Sequence, residues 1–180
     1  MFIISLLETG REEKGGSMYR NILLPTDGLG KCVYGTCHGV LLAESLGAKV
    51  TAVCVTQNLP IEEINKIYDA EMLVATSVAE VTRGVKKRAE DLHKELAGNA
   101  LAVAEKMCAG KGVKCDKVSL SGESPAEGIL KAAKERGCDL IFISTHGNPG
   151  LMDTLFGTVA SKIILHSKIP VLVHYCGGPS

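Results

Sequence analysis

Residues 139–174 read DLIFISTHGNPGLMDTLFGTVASKIILHSKIPVLVH, and the order of patterns within them decides the architecture. Asp139–Ser144 (DLIFIS) is a short, continuous apolar run, as expected of a strand covered on both faces. A glycine-containing loop follows, then a short helical stretch over Thr158–Ser167, and Pro170–His174 (PVLVH) reads as another strand. A strand, a helix and a second strand in that order pair in parallel through a right-handed crossover.

The same alternation extends towards the N-terminus. Asn21–Pro25 (NILLP) is a brief apolar run ended by proline, and Val33, Cys37, Val40 and Leu41 recur at helical spacing before a stop at Gly47. Lys49–Thr56 (KVTAVCVT) is rich in β-branched residues and reads as the second strand, with Val113–Leu120 as the third. No proline occurs between Pro60 and Pro125, where Val78, Val81, Val85, Leu92, Leu96, Val103 and Met107 mark one helical stripe expected to face the core. Lys86 with Glu90 and Lys87 with Asp91 are i,i+4 pairs on its solvated side. Ser124-Pro125-Ala126-Glu127 is a complete helix start: a capping hydroxyl, a proline at the first position and a glutamate that closes a capping box. The expected fold is an open, doubly wound, five-stranded parallel α/β sheet, Rossmann-like, with helices on both faces.

Composition sets the outer limits. The 180 residues include 20 basic and 20 acidic side chains, 46% hydrophobic residues, 4% aromatics and no Trp. This is enough chain for one domain with a substantial core. The apolar share is too high for disorder, and no apolar run approaches a membrane span. Charge neutrality removes the general attraction to nucleic acid or anionic lipid. Cys32, Cys37, Cys54, Cys108, Cys115, Cys138 and Cys176 are an odd set without C-x-x-C spacing, read as buried reduced thiols of a cytoplasmic protein. Residues 1–17 read as a flexible leader, 18–176 as one domain and 177–180 as a tail. In the leader, GREEKGGS passes near a phosphate-loop pattern but has Gly16 where lysine belongs.

In a doubly wound sheet, ligands bind beyond the carboxyl ends of the strands where strand order reverses. The segments to search therefore follow Pro25, Thr56 and Ser144. After Ser144 the chain runs Ser144-Thr145-His146-Gly147, nine residues, then Gly157-Thr158 at a helix start. Gly147 lets backbone amides approach an anion, and Gly157 and Thr158 offer N–H groups at the positive end of a helix dipole. Such a cradle needs no lysine.

Here the chain resembles the universal stress protein family, whose nucleotide-binding members carry G-x-x-G-x9-G-[ST] at this place. Three of the four defining positions match, and the likeness covers Met18–Tyr175, including Pro25-Thr26-Asp27 and Pro170-Val171-Leu172-Val173. The resemblance implies that Asp27 contacts the adenosine end of ATP and that the Val55 backbone reads the adenine edge. It places Ile143 and Ser144 along base and ribose, and Gly147, Gly157, Thr158, Val159 and Ala160 around the phosphates; His146, read from its place in the loop, could touch a phosphate, although a loop histidine with no carboxylate partner is more often incidental. It also implies Mg2+ held through the phosphates, and a homodimer formed by the last strand through Val171, Leu172 and Val173. Ser144 replaces the first motif glycine: at negative φ its hydroxyl would meet the sugar, while at positive φ serine is disfavoured. Met152 and Asp153 stand where basic residues are common, which shifts the expected preference towards AMP or ADP.

Structural readings compete at each site. Asp27-Gly28 also suits a simple turn, and Gly157-Thr158 a simple helix start. A dehydrogenase is disfavoured because the third fingerprint glycine falls on Val33 and no acidic residue ends the second strand. There is no nucleophile elbow and no paired carboxylate set for a hydrolase. His38, His93, His166 and His174 lack metal-ligand spacing. Two readings remain: a nucleotide-binding stress regulator or sensor that is not an enzyme beyond slow ATP hydrolysis, or a dimeric interaction module that no longer binds nucleotide.

Overall fold

Apolar β-branched runs and helix-spaced stretches alternate along the chain. The computed structural model describes residues 18–27, 32–56, 78–122, 124–145 and 157–176. Strand β1 (Asn21–Pro25) is followed by α1 (Cys32–Leu46), β2 (Lys49–Thr56), α2 (Val78–Gly110) and β3 (Cys115–Ser121). Then come α3 (Pro125–Glu135), β4 (Leu140–Thr145), α4 (Gly157–His166) and β5 (Val171–Tyr175). Strand β3 starts later than Val113 because the Val113 N–H closes the end of α2, donating to the Cys108 carbonyl at 2.9 Å. Gly47 ends α1 as expected, with φ of 63°, a conformation that costs a side-chain-bearing residue. The Ser124 hydroxyl accepts from the Glu127 N–H at 3.4 Å and caps α3.

All strand pairs are parallel, in the order β3-β2-β1-β4-β5. The chain winds outward from β1 to β3, returns, and winds out the other way through β4 and β5. Strand order therefore reverses between β1 and β4. Alternate residues of each strand serve opposite layers. Ile22, Leu24, Val50, Ala52, Cys54, Leu140 and Phe142 pack with α1 and α2. Leu23, Val53, Val118, Ile141 and Ile143 pack with α3 and α4.

Two expectations about helix faces are corrected. On α2 the core side is Ala97, Ala100, Leu101, Ala104 and Cys108, with Met107 of the apolar stripe packed beside them, whereas Leu92, Leu96 and Val103 are exposed and the side chains of Val78, Val81 and Val85 lie outside the described ones. Small residues face the sheet because they let the helix axis come close to it. On α1 the same preference buries Gly35, Thr36, Gly39, Val40 and Ala43 while leaving Cys37 and Leu41 exposed. A Cβ added at Gly39 would collide with Leu24 and Phe142. Among the described cysteines, Cys54, Cys108 and Cys138 are buried, and Cys37 is a surface thiol. No helix among the described residues is long and apolar enough to cross a membrane.

Candidate functional site

A cavity of about 450 Å³ opens beyond the carboxyl ends of β1, β2 and β4, at the place where strand order reverses. Its floor is one face of the sheet: Val53 and Val55 from β2 and Ile143 from β4. Pro25, Thr26 and Asp27 leave the tip of β1 along one side, and Pro125 and Ile129 come from the start of α3. Thr158, Val159 and Ala160, the first turn of α4, form another wall, with Ser144 at the rim. The Thr26 N–H donates to the Val53 carbonyl at 2.9 Å, which fixes the β1 tip against β2.

The chemistry of this lining is narrow. Most of it is apolar and suited to a flat ring, and the polar side chains among the described lining residues are those of Thr26, Asp27 and Thr158, with Ser144 bordering it through its backbone. Among the described lining residues Asp27 is the one that is charged, and it is exposed. Its negative charge reaches inward: burial first, then the Asp27 carboxylate, pushes the Cys54 thiol above its ordinary range. Opposite lies the first turn of α4, whose amides have no carbonyl partners within the helix and mark its electropositive end. A ligand with an apolar ring at the floor and an anionic end at α4 matches this polarity. Among the described residues no group of three His, Cys, Asp or Glu side chains could hold a metal ion.

Most of the residues singled out from sequence converge here. Pro25, Thr26, Asp27, Val55, Ile143, Ser144, Thr158, Val159 and Ala160 all border the one cavity, and Gly157 begins the helix at its edge. His146 and Gly147 lie outside the described residues. Val53, Pro125 and Ile129 were missed. Val53 could have been found by stepping two residues back from Val55 onto the same sheet face. The capped start of α3 needed the sheet order to be placed beside α4.

The expectation for Ser144 is corrected. No described non-glycine residue has positive φ, so the backbone there tolerates serine. The Ser144 Cβ and Oγ face α1, where a Cβ added at Gly35 would collide with both. The serine side chain thus packs on the layer opposite the cavity and does not reach for a sugar within it. One pairing was not legible at all: the rings of His38 and His174 lie 4.4 Å apart.

Comparison with known proteins agrees with this architecture. Universal stress protein MJ0531 of Methanocaldococcus jannaschii is 30% identical over 159 residues, covering 88% of this chain and 84% of that protein. The solved structure of MJ0577 from the same organism aligns with a TM-score of 0.64 at 24% identity, over 91% of this chain and 99% of that one. A universal stress protein solved in complex with cAMP aligns with a TM-score of 0.57 at 17% identity, over 88% and 98%. Residues 18–174 match the model of the Universal stress protein family, and the chain belongs to that family.

Proposed function

We propose that this chain binds one adenine nucleotide, ATP, ADP or AMP, and acts as a regulator or sensor in a stress response. The observation that supports this most directly is the cavity at the switch point, with an apolar floor and the N-terminus of α4 at its wall. In this reading the base lies over Val53, Val55 and Ile143, and Asp27 accepts a hydrogen bond from the adenosine end. The phosphates meet the amides of Thr158, Val159 and Ala160 and the Thr158 hydroxyl, together with Gly157, His146 and Gly147 of the connecting loop. A relative of the same fold is solved with cAMP. Among the described lining residues there is no lysine or arginine, which favours one phosphate over three. A magnesium ion would be held mainly by phosphate oxygens.

Among the described lining residues Asp27 is the titrating group, at the exposed rim, an arrangement that suits binding rather than turnover. Residues 18–176 would be the binding unit. The cytoplasm is the compartment that suits its reduced thiols. The β5 edge, with Leu172 exposed and Val171 and Val173 half-buried, suits pairing with a second copy.

Equilibrium titration with ATP, ADP, AMP and cAMP, with and without magnesium, tests the proposal. Saturable binding is expected, weakened about tenfold by Thr158→Val or Asp27→Ala, each of which removes a hydrogen bond to the ligand. Absence of binding at millimolar nucleotide would sink the reading in favour of a pure interaction module.

A further inference from the structure

The turn between α2 and β3 brings two cysteines together. The Lys111 and Val113 N–H groups both donate to the Cys108 carbonyl, at 3.0 and 2.9 Å, and Gly112 reverses the chain with φ of 68°. The Lys114 carbonyl then accepts from the Val50 N–H at 2.8 Å, and Cys115 opens β3 in register with Val50 of β2. Seven residues after Cys108 the chain is back against the core it left. Cys108 is fully buried in that core, and Cys115 packs against the same cluster while remaining half-exposed to solvent.

Their thiols touch. The Cys108 S–H donates to the Cys115 sulfur, and the Cys115 S–H reaches the Asp116 carbonyl at 3.8 Å. Two cysteines serving only as small hydrophobes would need no such chain of contacts. The hydrogen bond from Cys108 is the main influence on Cys115 and holds it below the ordinary thiol range, with help from the Ala52 backbone and against burial and the Glu105 and Asp116 carboxylates. The same bond, with burial, holds Cys108 above that range. The thiolate is the reactive form of cysteine, so the member that solvent reaches is the one that ionises, and the enclosed member keeps its proton.

We propose that Cys108 and Cys115 are a reversible dithiol switch oxidised by hydroperoxides, with Cys115 as the attacking thiol and Cys108 as the resolving one. The Cys115 thiolate attacks the terminal peroxide oxygen and the O–O bond breaks. Cys115 becomes a sulfenic acid, and the departing oxygen takes a proton and leaves as an alcohol, or as water from hydrogen peroxide. The Cys108 sulfur then attacks the Cys115 sulfur, and the sulfenic hydroxyl leaves with the Cys108 proton as water. Two thiols have lost two hydrogens with their electrons, and the peroxide has gained them. The sulfurs already stand in contact, the approach that a disulfide requires, and the new bond ties the end of α2 to the start of β3. A dithiol reductant reverses it. The pair lies at the amino end of β3, away from the cavity, so its oxidation does not depend on a bound nucleotide.

Hydrogen peroxide added to the native, reduced full chain, followed by alkylation in denaturant and non-reducing tryptic mapping, tests this. Trypsin cuts after Lys106, Lys111, Lys114 and Lys117, so the switch is read as residues 107–111 joined to residues 115–117. The joined pair should be lighter than the two free peptides by two hydrogens, about 2 Da, and dithiothreitol should part it. The oxidised chain should need about 1 M more urea to unfold, because the closed loop also restrains the unfolded state. In Cys108→Ala, Cys115 should stop at the sulfenic acid and be captured by dimedone, whereas Cys115→Ser should leave Cys108 open to alkylation. Two unlinked peptides, at a peroxide dose that oxidises the exposed Cys37, overturn the proposal. So does a link that forms only in urea, or a Cys108 that is oxidised equally well in Cys115→Ser.

Discussion

Ser144 and Gly35 are best understood as a pair. Helix α1 comes so close to the end of β4 that a Cβ at Gly35 would collide with the Ser144 Cβ and Oγ, and would stand 3.4 Å from the Cys176 Sγ. The glycine is required here for space, because helical φ values suit any residue. Gly35→Ala should overpack this contact and lose about 1–2 kcal/mol net, the clash outweighing the gain in helix propensity. Adding Ser144→Gly should recover most of the loss, so urea unfolding of the two singles and the double should reveal strong coupling. Ser144→Gly alone should leave nucleotide affinity within about twofold of wild type, because the side chain it removes faces the other layer. A large gain in affinity from that single change would show that the serine does obstruct the cavity.

At the scale of elements, α1, β4 and β5 meet through aromatic rings. His174 of β5 lies 4.4 Å from the ring of His38 on α1 and 5.7 Å from that of Phe142 on β4. The His38 Nδ1–H donates to the Tyr34 carbonyl at 2.9 Å, which holds that ring in place. Burial first, and the neighbouring His38 second, keep His174 below the usual imidazole value of 6.5. Between the lowered folded value and 6.5 the unfolded chain binds more protons, so stability rises with pH across that window and falls as pH drops through it. Thermal unfolding followed across that window should show the loss, and His174→Phe should flatten it. An unchanged slope in that variant would assign the effect to other groups. This contact was invisible in the sequence, since His38 and His174 come from elements whose adjacency depends on the sheet order. The strands and the capped start of α3 were legible because each is written in local chemistry: β-branched runs, and Ser124 with Pro125 and Glu127. The core face of α2 was not, because reading for large apolar residues finds Leu92, Leu96 and Val103, while close packing on a sheet selects Ala97, Ala100 and Ala104. The site's location followed from topology, but the direction of the Ser144 side chain required the packing of α1.

Across the whole molecule the two ends of the sheet are built for different tasks. The carboxyl ends carry the cavity. At the amino ends a buried polar lock joins three strands: the Asp139 carboxylate accepts from the Arg20 and Asn21 N–H groups at 2.8 and 3.0 Å. Asn21, only 4% exposed, donates from Nδ2 to the Arg136 carbonyl at 2.9 Å and accepts the Thr51 hydroxyl at 2.8 Å. Asn21→Ala would leave the fully buried Thr51 hydroxyl without that acceptor and should cost about 2 kcal/mol. Asn21 stands four residues from Pro25 along β1, about 13 Å from the edge of the cavity, and substitutions more than about 10 Å apart with no shared partner usually act independently. A nucleotide at one hundred times its dissociation constant should stabilise the fold by about 2.7 kcal/mol. That increment should be the same, within about 0.5 kcal/mol, in wild type and in Asn21→Ala. Denaturant unfolding of both proteins, with and without nucleotide, measures the four values required. Equal increments would show that the amino ends of the strands hold the sheet together without tuning the site. A smaller increment in the variant would mean that the strands transmit register from one end to the other, making the polar lock part of the binding machinery.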